Sequence, residues 1–535
     1  MRFITNSQNQ LHLFGYTLSD LVPKNAKCRL VLDLVKKLKL KKLYHRYSSQ
    51  GNYAYEPSIM LAIWFYAYSM GETSTRKIEE LCRRDLHFMY ISSNLQPDHT
   101  SLSRFRKDHL DLIQDYFIQL VLLIRKEGLS EFKNIAIDGS KIEASCSSKK
   151  SKRSDDLSRQ LETVRRQISE YMEQCARSDQ EENQDISSIR KRIKQLQELE
   201  QTLMERETQL SERKEKIKAE HRENHKINIT EPEARMMDKV NGRKKSPAYN
   251  AQISVDMDSQ FIAANDVVCD VNDQNQFSSQ HKNIEKNLGK DRDREYTADS
   301  GYHSNEHLEY IEKNEIKAVI ADPNPHNRSP YQENQNNKNI KEILKEKDKF
   351  DRSDFIYDQE KDCYWCPKEK ELSLERKYNR KGFTGRTYKC NHCRGCPYTK
   401  ECLPENNRSG FRRIHRDDKE RYAEAMYLKT QTEYGRTKLK RRSYSVEAVL
   451  GNLKENLGFR RFNLRGLSSV QGEFNLMCIA HNINKMYILF YFLFWRYLVT
   501  FYYVKERKLI KTGHLNFKHL FMTTFRFCLI VFIIY

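Results

Sequence analysis

Two acidic residues stand at the ends of short apolar runs. Asp138 closes the segment NIAID and precedes Gly139; Asp299 follows REYTA and precedes the turn SGYHS. A carboxylate carried off a strand into a turn adds little stability, but it presents charge well, and a neighbouring glycine lets the backbone turn sharply beside it. Adjacent strand ends of one sheet would bring the two acids together. Two such groups repel, so their meeting makes sense if divalent cations lie between them. Hard oxygen ligands at a partly open site suit Mg2+ or Mn2+, and two such ions about 3.5–4 Å apart can clamp the attacking and leaving oxygens of a phosphodiester. A third acid, Glu447, lies on an expected helix in RRSYSVEAVLGNLKENLGFRRFNLRG. Lys454 follows seven residues on, two turns away on roughly the same face, where it would meet DNA phosphate. Arg460, Arg461 and Arg465 extend a basic track. Taken singly, each acid reads as a solvated or capping group; the combination carries the argument.

A second constellation is built from thiols. CYWC (Cys363, Cys366) precedes CNHCRGCPYTKEC (Cys390, Cys393, Cys396, Cys402). Two Cys-x2-Cys pairs about two dozen residues apart have structural-zinc spacing. Cys363, Cys366, Cys393 and Cys396 are the expected ligands, with His392 a spare candidate. Four thiolates would close the shell and leave no position for chemistry. The alternative is a group of free thiols in a small β insertion.

The elements that must position these groups change in texture along 535 residues, enough for several domains. Apolar residues are 38%, charged residues 31%, and the formal net charge is +21. That excess points to a polyanionic partner, with nucleic acid first and membrane lipid second; a generically basic surface is the bland alternative. MRFITNSQNQ lacks the apolar core of a signal peptide, so a cytoplasmic chain with reduced cysteines is expected. Residues 20–128 read as helical, ending in PDHTSLSRFRKDHLDLIQDYFIQLVLLI, a helix that starts near Thr100 with Arg104, Arg106 and Lys107 in its first turns. Helix, turn and basic helix fit a helix-turn-helix-like DNA module or an ordinary bundle with a solvated basic face. Over residues 153–225 apolar positions recur in steps of four and three, from Leu157 to Cys175 and from Ile186 to Leu210. That seam predicts a coiled-coil helical hairpin, an arm for dimerisation or DNA, or a passive spacer. β-rich runs follow, and the order of helix and strand predicts a mixed α/β domain with insertions. The stretch MYILFYFLFWRYLVTFYYV is barely long enough to span a bilayer and carries Arg496, which costs about 2.5–3.5 kcal/mol on insertion, so a membrane helix is not expected.

The ordered set IAIDGSKIEA, TEPEARMM, YNAQISVD, TADSGYHS, VEAVLGNLK and GFRRFNLRGL…GEFNLMCIAHNINKM resembles bacterial insertion-sequence transposases with an RNase-H-like DDE domain, and PDHTSLSRFRKDH resembles their InsH-type N-terminal domain. The resemblance runs from about residue 15 to 486. It implies a helical DNA-binding domain (15–128), an RNase-H-like core in three parts (129–152, 229–325, 416–486), the hairpin insertion (153–228), a Cys-rich insertion (326–415) and a tail outside the resemblance (487–535). It implies that the DDE triad falls on Asp138, Asp299 and Glu447, that Mg2+ or Mn2+ assists cleavage at element ends and strand transfer into target DNA, and that the chain works as a homo-oligomer on double-stranded DNA. One departure is that position 443 is Ser where the wider family often has Arg; Arg442 lies one place earlier and could take over its role. A catalytically inactive DNA-binding remnant and a plain metal-dependent nuclease are the alternatives.

Overall fold

The computed structural model describes residues 3–4, 17–48, 53–178, 186–215, 225–240, 243–323, 348–380, 383–403, 407 and 409–510, with backbone alone at 491–510. Residues 326–347 of the expected Cys-rich segment and 511–535 of the tail lie outside the described residues.

The N-terminal region is helical, as its sequence predicts. Its principal helices are α1 (Lys27–Lys37), α2 (Pro57–Ser69), α3 (Thr75–Arg84), α4 (Leu86–Ile91) and α5 (His99–Lys126). α2 opens on Pro57, whose fixed φ suits a first helical position, and nearly all its side chains are buried. α5 begins at His99 because the Asp98 carboxylate caps it, accepting from the backbone N–H groups of Thr100 and Ser101.

A mixed sheet follows. Its strands are β1 (Asn134–Glu143), β2 (Arg235–Val240), β3 (Arg243–Asp256), β4 (Ile262–Val268), β5 (Glu295–Ala298) and β6 (Lys317–Ile320). The order is β2-β3-β1-β5-β6, with β4 beside β3. β3 is long: its first half pairs β2, its second half pairs β4, and its other edge pairs β1, all antiparallel. β1, β5 and β6 run parallel. The run Ile135-Ala136-Ile137 is fully buried, which is why an uninterrupted apolar stretch forms the central strand.

Between β1 and β2 the chain leaves as α6 (Ser154–Ser178) and returns as α7 (Ile186–Glu215). Leu157, Leu161, Val164 and Ile168 pack against Leu196, Leu203 and Leu210 in the heptad seam. Ser158 meets Glu207 and Arg165 meets Glu200, so the two helices are antiparallel. A two-stranded pair, Ser151–Lys152 with Ile227–Asn228, closes the base.

After β5 and β6, flanked by α8 (Phe277–Leu288) and α9 (Asn305–Lys313), a second, antiparallel sheet forms. It contains β7 (Ile356–Asp358), β8 (Cys363–Trp365), β9 (Glu371–Arg380), β10 (Phe383–Cys390) and β11 (Arg413–Asp417). Tyr357, Tyr364 and Tyr388 centre its small core. A buried bidentate pair ties it to the next helix, α10 (Glu420–Gln431): Arg416 donates to Glu424 at 2.5 and 2.6 Å. α11 (Glu433–Gly451) then continues into one π-helical turn at Asn452–Asn456. α12 (Leu467–Ile510) packs its first half, including Phe474, Met477 and Ile483, into the main core. Among the described residues no helix is long and apolar enough to cross a membrane.

Candidate active site

The register of the main sheet explains why the two sequence-distant aspartates meet. Ile137 of β1 pairs with Ala298 of β5 in parallel, so Asp138 and Asp299 are each the next residue beyond the same rung. The chain turns after Asp299 into a short 3-10 segment, Ser300–Tyr302, because the Asp299 carboxylate accepts from the Gly301 N–H at 2.9 Å. Asp138 accepts from the Gly139 N–H at 2.8 Å.

Between the two carboxylates lies a guanidinium. Arg442 of α11 is 3.0 Å from Asp138 Oδ2 and 3.8 Å from Asp299 Oδ2. Its Nε also donates to the Ile137 carbonyl at 3.4 Å. Asp138 is deeply placed, while the Asp299 side chain is 40% exposed, so the pair opens to solvent on one side. Burial pushes the Asp138 carboxyl up to about 6; Arg442 opposes that rise and Asp299, then Asp273, add to it.

Asp273 is a site neighbour that the sequence reading missed. It lies just before α8, and its Oδ1 accepts from Asn250 Nδ2 at 2.7 Å and from Gln252 Nε2 at 2.6 Å. Gln252 in turn accepts a short hydrogen bond from the Tyr302 hydroxyl. Asp273 sits in VNDQNQF, a polar stretch with no apolar run leading into it, so the signal that marked Asp138 and Asp299 was missing.

The remaining expected residues divide. Glu447 is exposed on α11, where it accepts from Ser443 Oγ at 2.7 Å; with Asp138 and Asp299 it forms no group arranged to hold a metal ion. Lys454, in the π turn, donates to the Lys141 carbonyl at 3.1 Å; burial lowers its pKa, and Asp138 partly offsets that. Arg442 and Lys454 thus anchor both ends of one helical stretch on β1, and Glu447 lies between them in the chain. Arg460 pairs with Glu455, Arg461 with Glu143 at 2.7 Å, and Arg465 donates to the Ser145 carbonyl at 2.9 Å; all three stay exposed. Arg104 and Lys107 are exposed on α5, but Arg106 is not. Leu102, Phe105, Arg106, His109 and Leu110 form the buried face of that helix. Arg106 lies 4.5 Å over the Trp64 ring and donates to the Tyr68 hydroxyl at 3.1 Å, so it is a packing residue and not a DNA contact.

The thiols also regroup. Cys366 and Cys390 share a hydrogen bond, which, ahead of burial's opposing effect, brings the Cys366 thiol down to about 6 and pushes Cys390 up. Cys366 Sγ accepts from the Lys370 N–H at 3.3 Å and Cys393 Sγ from the Arg412 N–H at 3.4 Å. Cys390 interacts with Cys393, and Cys402 is near Cys393, Cys366 and Cys396. Cys363, on β8, is buried among the carboxylates of Glu371, Asp358 and Asp362. Among the described residues no group of three or more His, Cys, Asp or Glu side chains is arranged to hold a metal ion.

Two family models match the chain. A transposase DDE domain matches residues 365–487 and a transposase domain (DUF772) matches residues 16–108. The DDE match begins at Trp365, beyond Asp138, Asp299 and Cys363, and takes in the rest of the cysteine-rich sheet and Glu447. No curated protein and no solved structure matches.

Proposed function

The chain is a transposase with a DDE domain, an enzyme that acts on DNA, and from that premise we propose that Asp138, Asp299 and Glu447 form its acidic site. The observation that carries the proposal is the shared rung: β1 and β5 deliver Asp138 and Asp299 side by side with a cation, the Arg442 guanidinium, already between them. The strand order β4-β3-β1-β5-β6, antiparallel on one side of β1 and parallel on the other, supports an RNase-H-like core.

The donor set fits a hard divalent cation. It consists of carboxylate oxygens that already take the positive charge of the Arg442 guanidinium at 3.0 Å. Mg2+ or Mn2+ bound at such a site stabilises charge on the attacking and leaving oxygens of a phosphodiester. In this reading Arg442 keeps the pair together when no ion is bound. Ser443, standing where relatives of the wider family often have arginine, orients Glu447 by hydrogen bonding. Lys454 fixes the helix to β1 through the Lys141 carbonyl, and exposed Arg460, Arg461 and Arg465, with Arg104 and Lys107, form the phosphate-binding track of double-stranded DNA. The antiparallel hairpin supports an arm for a second copy or for DNA.

The cysteine-rich sheet supplies thiol donors of the kind structural zinc takes; they are not arranged around an ion as they stand, and the mutual contacts of Cys366, Cys390 and Cys393, with Cys396 or Cys402 beside them, favour that set over Cys363.

The test of function is cleavage and joining of DNA carrying the element's terminal repeats with Mg2+. The native chain should nick at the ends and join the 3′-OH to target DNA, and Asp138→Asn should do neither. Equal nicking by both proteins would remove Asp138 from the site. An inactive native chain would make it a DNA-binding remnant, and cutting without end preference or joining would make it a nuclease.

A further inference from the structure

We infer that Asp273 is a third inward carboxylate of this site, contributing its negative charge to the cation that Asp138 and Asp299 receive; the inference rests on the reading of those two residues given above.

An acid before a helix is most often a capping group. Asp273 is not placed as one. The cap position of α8 is Gln276, and the Asp273 carboxylate turns the other way, onto the sheet, where Asn250 and Gln252 donate to Oδ1. Both amides are almost fully buried, so they fix that oxygen rigidly. The site leaves room for the carboxylate by omitting side chains. Gly139 pairs directly with Gln252 across β1 and β3. A Cβ on Gly139 would lie 2.3 Å from Gln252 Nε2 and 2.5 Å from Asp273 Oδ1. A Cβ on Gly301 would lie 3.1 Å from Asp299 Oδ1 and 3.5 Å from Asp273 Oδ2. The Asp273 carboxylate is therefore wedged between the residue that follows Asp138 and the turn that follows Asp299. Oδ1 is committed to the amides, and Oδ2 faces the same space as Asp299 Oδ1.

Holding a half-buried carboxylate beside two others is unfavourable unless positive charge collects among them. A residue needed only to order Asn250 and Gln252 could be a neutral acceptor. Asn can serve that purpose, since its side-chain oxygen accepts from the same two amides.

The experiment is Mn2+ titration of the full-length protein by electron paramagnetic resonance, with thermal unfolding in parallel. Asp273→Asn should keep its melting temperature in the absence of metal and bind Mn2+ at least about tenfold more weakly, as loss of one nearby unit charge requires. Unchanged Mn2+ affinity in Asp273→Asn overturns the inference. Asp138→Asn is the companion. If it also leaves Mn2+ binding intact, the reading of the whole site falls; if it alone weakens binding, only the role of Asp273 falls. Should Asp273→Asn fail to fold, Asp273→Glu, which keeps charge and acceptor, is titrated instead: restored folding with Mn2+ affinity within about threefold of the native chain supports the inference, and restored folding with no binding refutes it.

Discussion

Replacing Gly139 by alanine tests the packing of the site most directly. Its backbone is ordinary extended strand, so the substitution introduces no conformational strain; only space is at issue. The new methyl would meet Gln252 Nε2 at 2.3 Å, Asp273 Oδ1 at 2.5 Å and Asn250 Oδ1 at 2.9 Å, where ordinary contact begins at 3.4 Å. The amide and the carboxylate must each retreat by about 1 Å. Both are ends of side chains, which usually yield at little cost. Here they are tied to one another, to Asn250 and, through Gln252, to Tyr302. Retreat breaks at least one hydrogen bond to a charged group, at about 1.5–3 kcal/mol, and overpacking of a dense site costs a similar amount. We expect Gly139→Ala to lower unfolding free energy by about 2–3 kcal/mol in urea titrations. It should also weaken Mn2+ binding and abolish end cleavage, because the displaced carboxylate is Asp273. Gly301→Ala is the control: its tightest contact is 3.1 Å to a single oxygen of the half-exposed Asp299, so a loss below about 1 kcal/mol is expected. If Gly139→Ala and Gly301→Ala proved equally stable and bound Mn2+ equally well, the packed triad of Gly139, Gln252 and Asp273 would not exist in solution.

Arg106→Ala should cost about 2–3 kcal/mol of stability, through the lost Trp64 stacking and Tyr68 hydrogen bond, yet leave the salt dependence of DNA binding unchanged. Arg104→Ala and Lys107→Ala should do the reverse, each reducing the slope of log K against log salt by about 1 without moving the unfolding midpoint. His481 gives an acid-sensitive stability: it is fully buried, burial lowers its pKa to about 4, its Nε2 donates to the Gln260 carbonyl at 2.9 Å and its Nδ1 accepts from Asn452 at 3.0 Å. The unfolded chain binds the proton first, so stability is complete above about pH 6.5 and falls by about 3 kcal/mol as pH drops towards 4; His481→Gln should flatten that part of a stability–pH profile. Purified protein should carry close to one equivalent of zinc by elemental analysis, and Cys390→Ser should lose it while Cys363→Ser keeps it; zinc retained in Cys390→Ser would return the ligand set to the spacing-based choice.

The parts of the molecule that follow from short-range pattern were legible in the sequence. The helical N-terminus, the heptad seam of α6 and α7, and the apolar run of β1 ending in Asp138 depend on periodicity and on residues adjacent in the chain. The parts that depend on register were not. Nothing in VNDQNQF reveals that Asp273 reaches Asn250 and Gln252, because that contact is set by how β4, which leads into it, pairs with β3. Arg106 was misread for a related reason: charge suggests exposure, yet its place one turn after Leu102 and next to Phe105 puts it on the buried face, where Trp64 receives it. Cysteine spacing grouped these thiols in one segment, but the contact between Cys366 and Cys390 depends on strand ends that spacing cannot pair.

The charges at the site explain why its third named acid stands apart. Asp138, Asp299 and Asp273 place three carboxylates close together, and Arg442 and Lys454 bring two cations towards Asp138. The cluster keeps an excess of negative charge, and Asp299 and Asp273 add to the rise that burial already imposes on the Asp138 carboxyl. A fourth carboxylate turned inward would add repulsion with nothing to offset it. Glu447 instead faces solvent on α11 with Ser443 as its donor. Its helix is fixed to β1 through Arg442 on one side and Lys454 on the other. An exposed Glu447 with a hydroxyl donor adds no repulsion to the three aspartates, which is the electrostatically favourable placement for it.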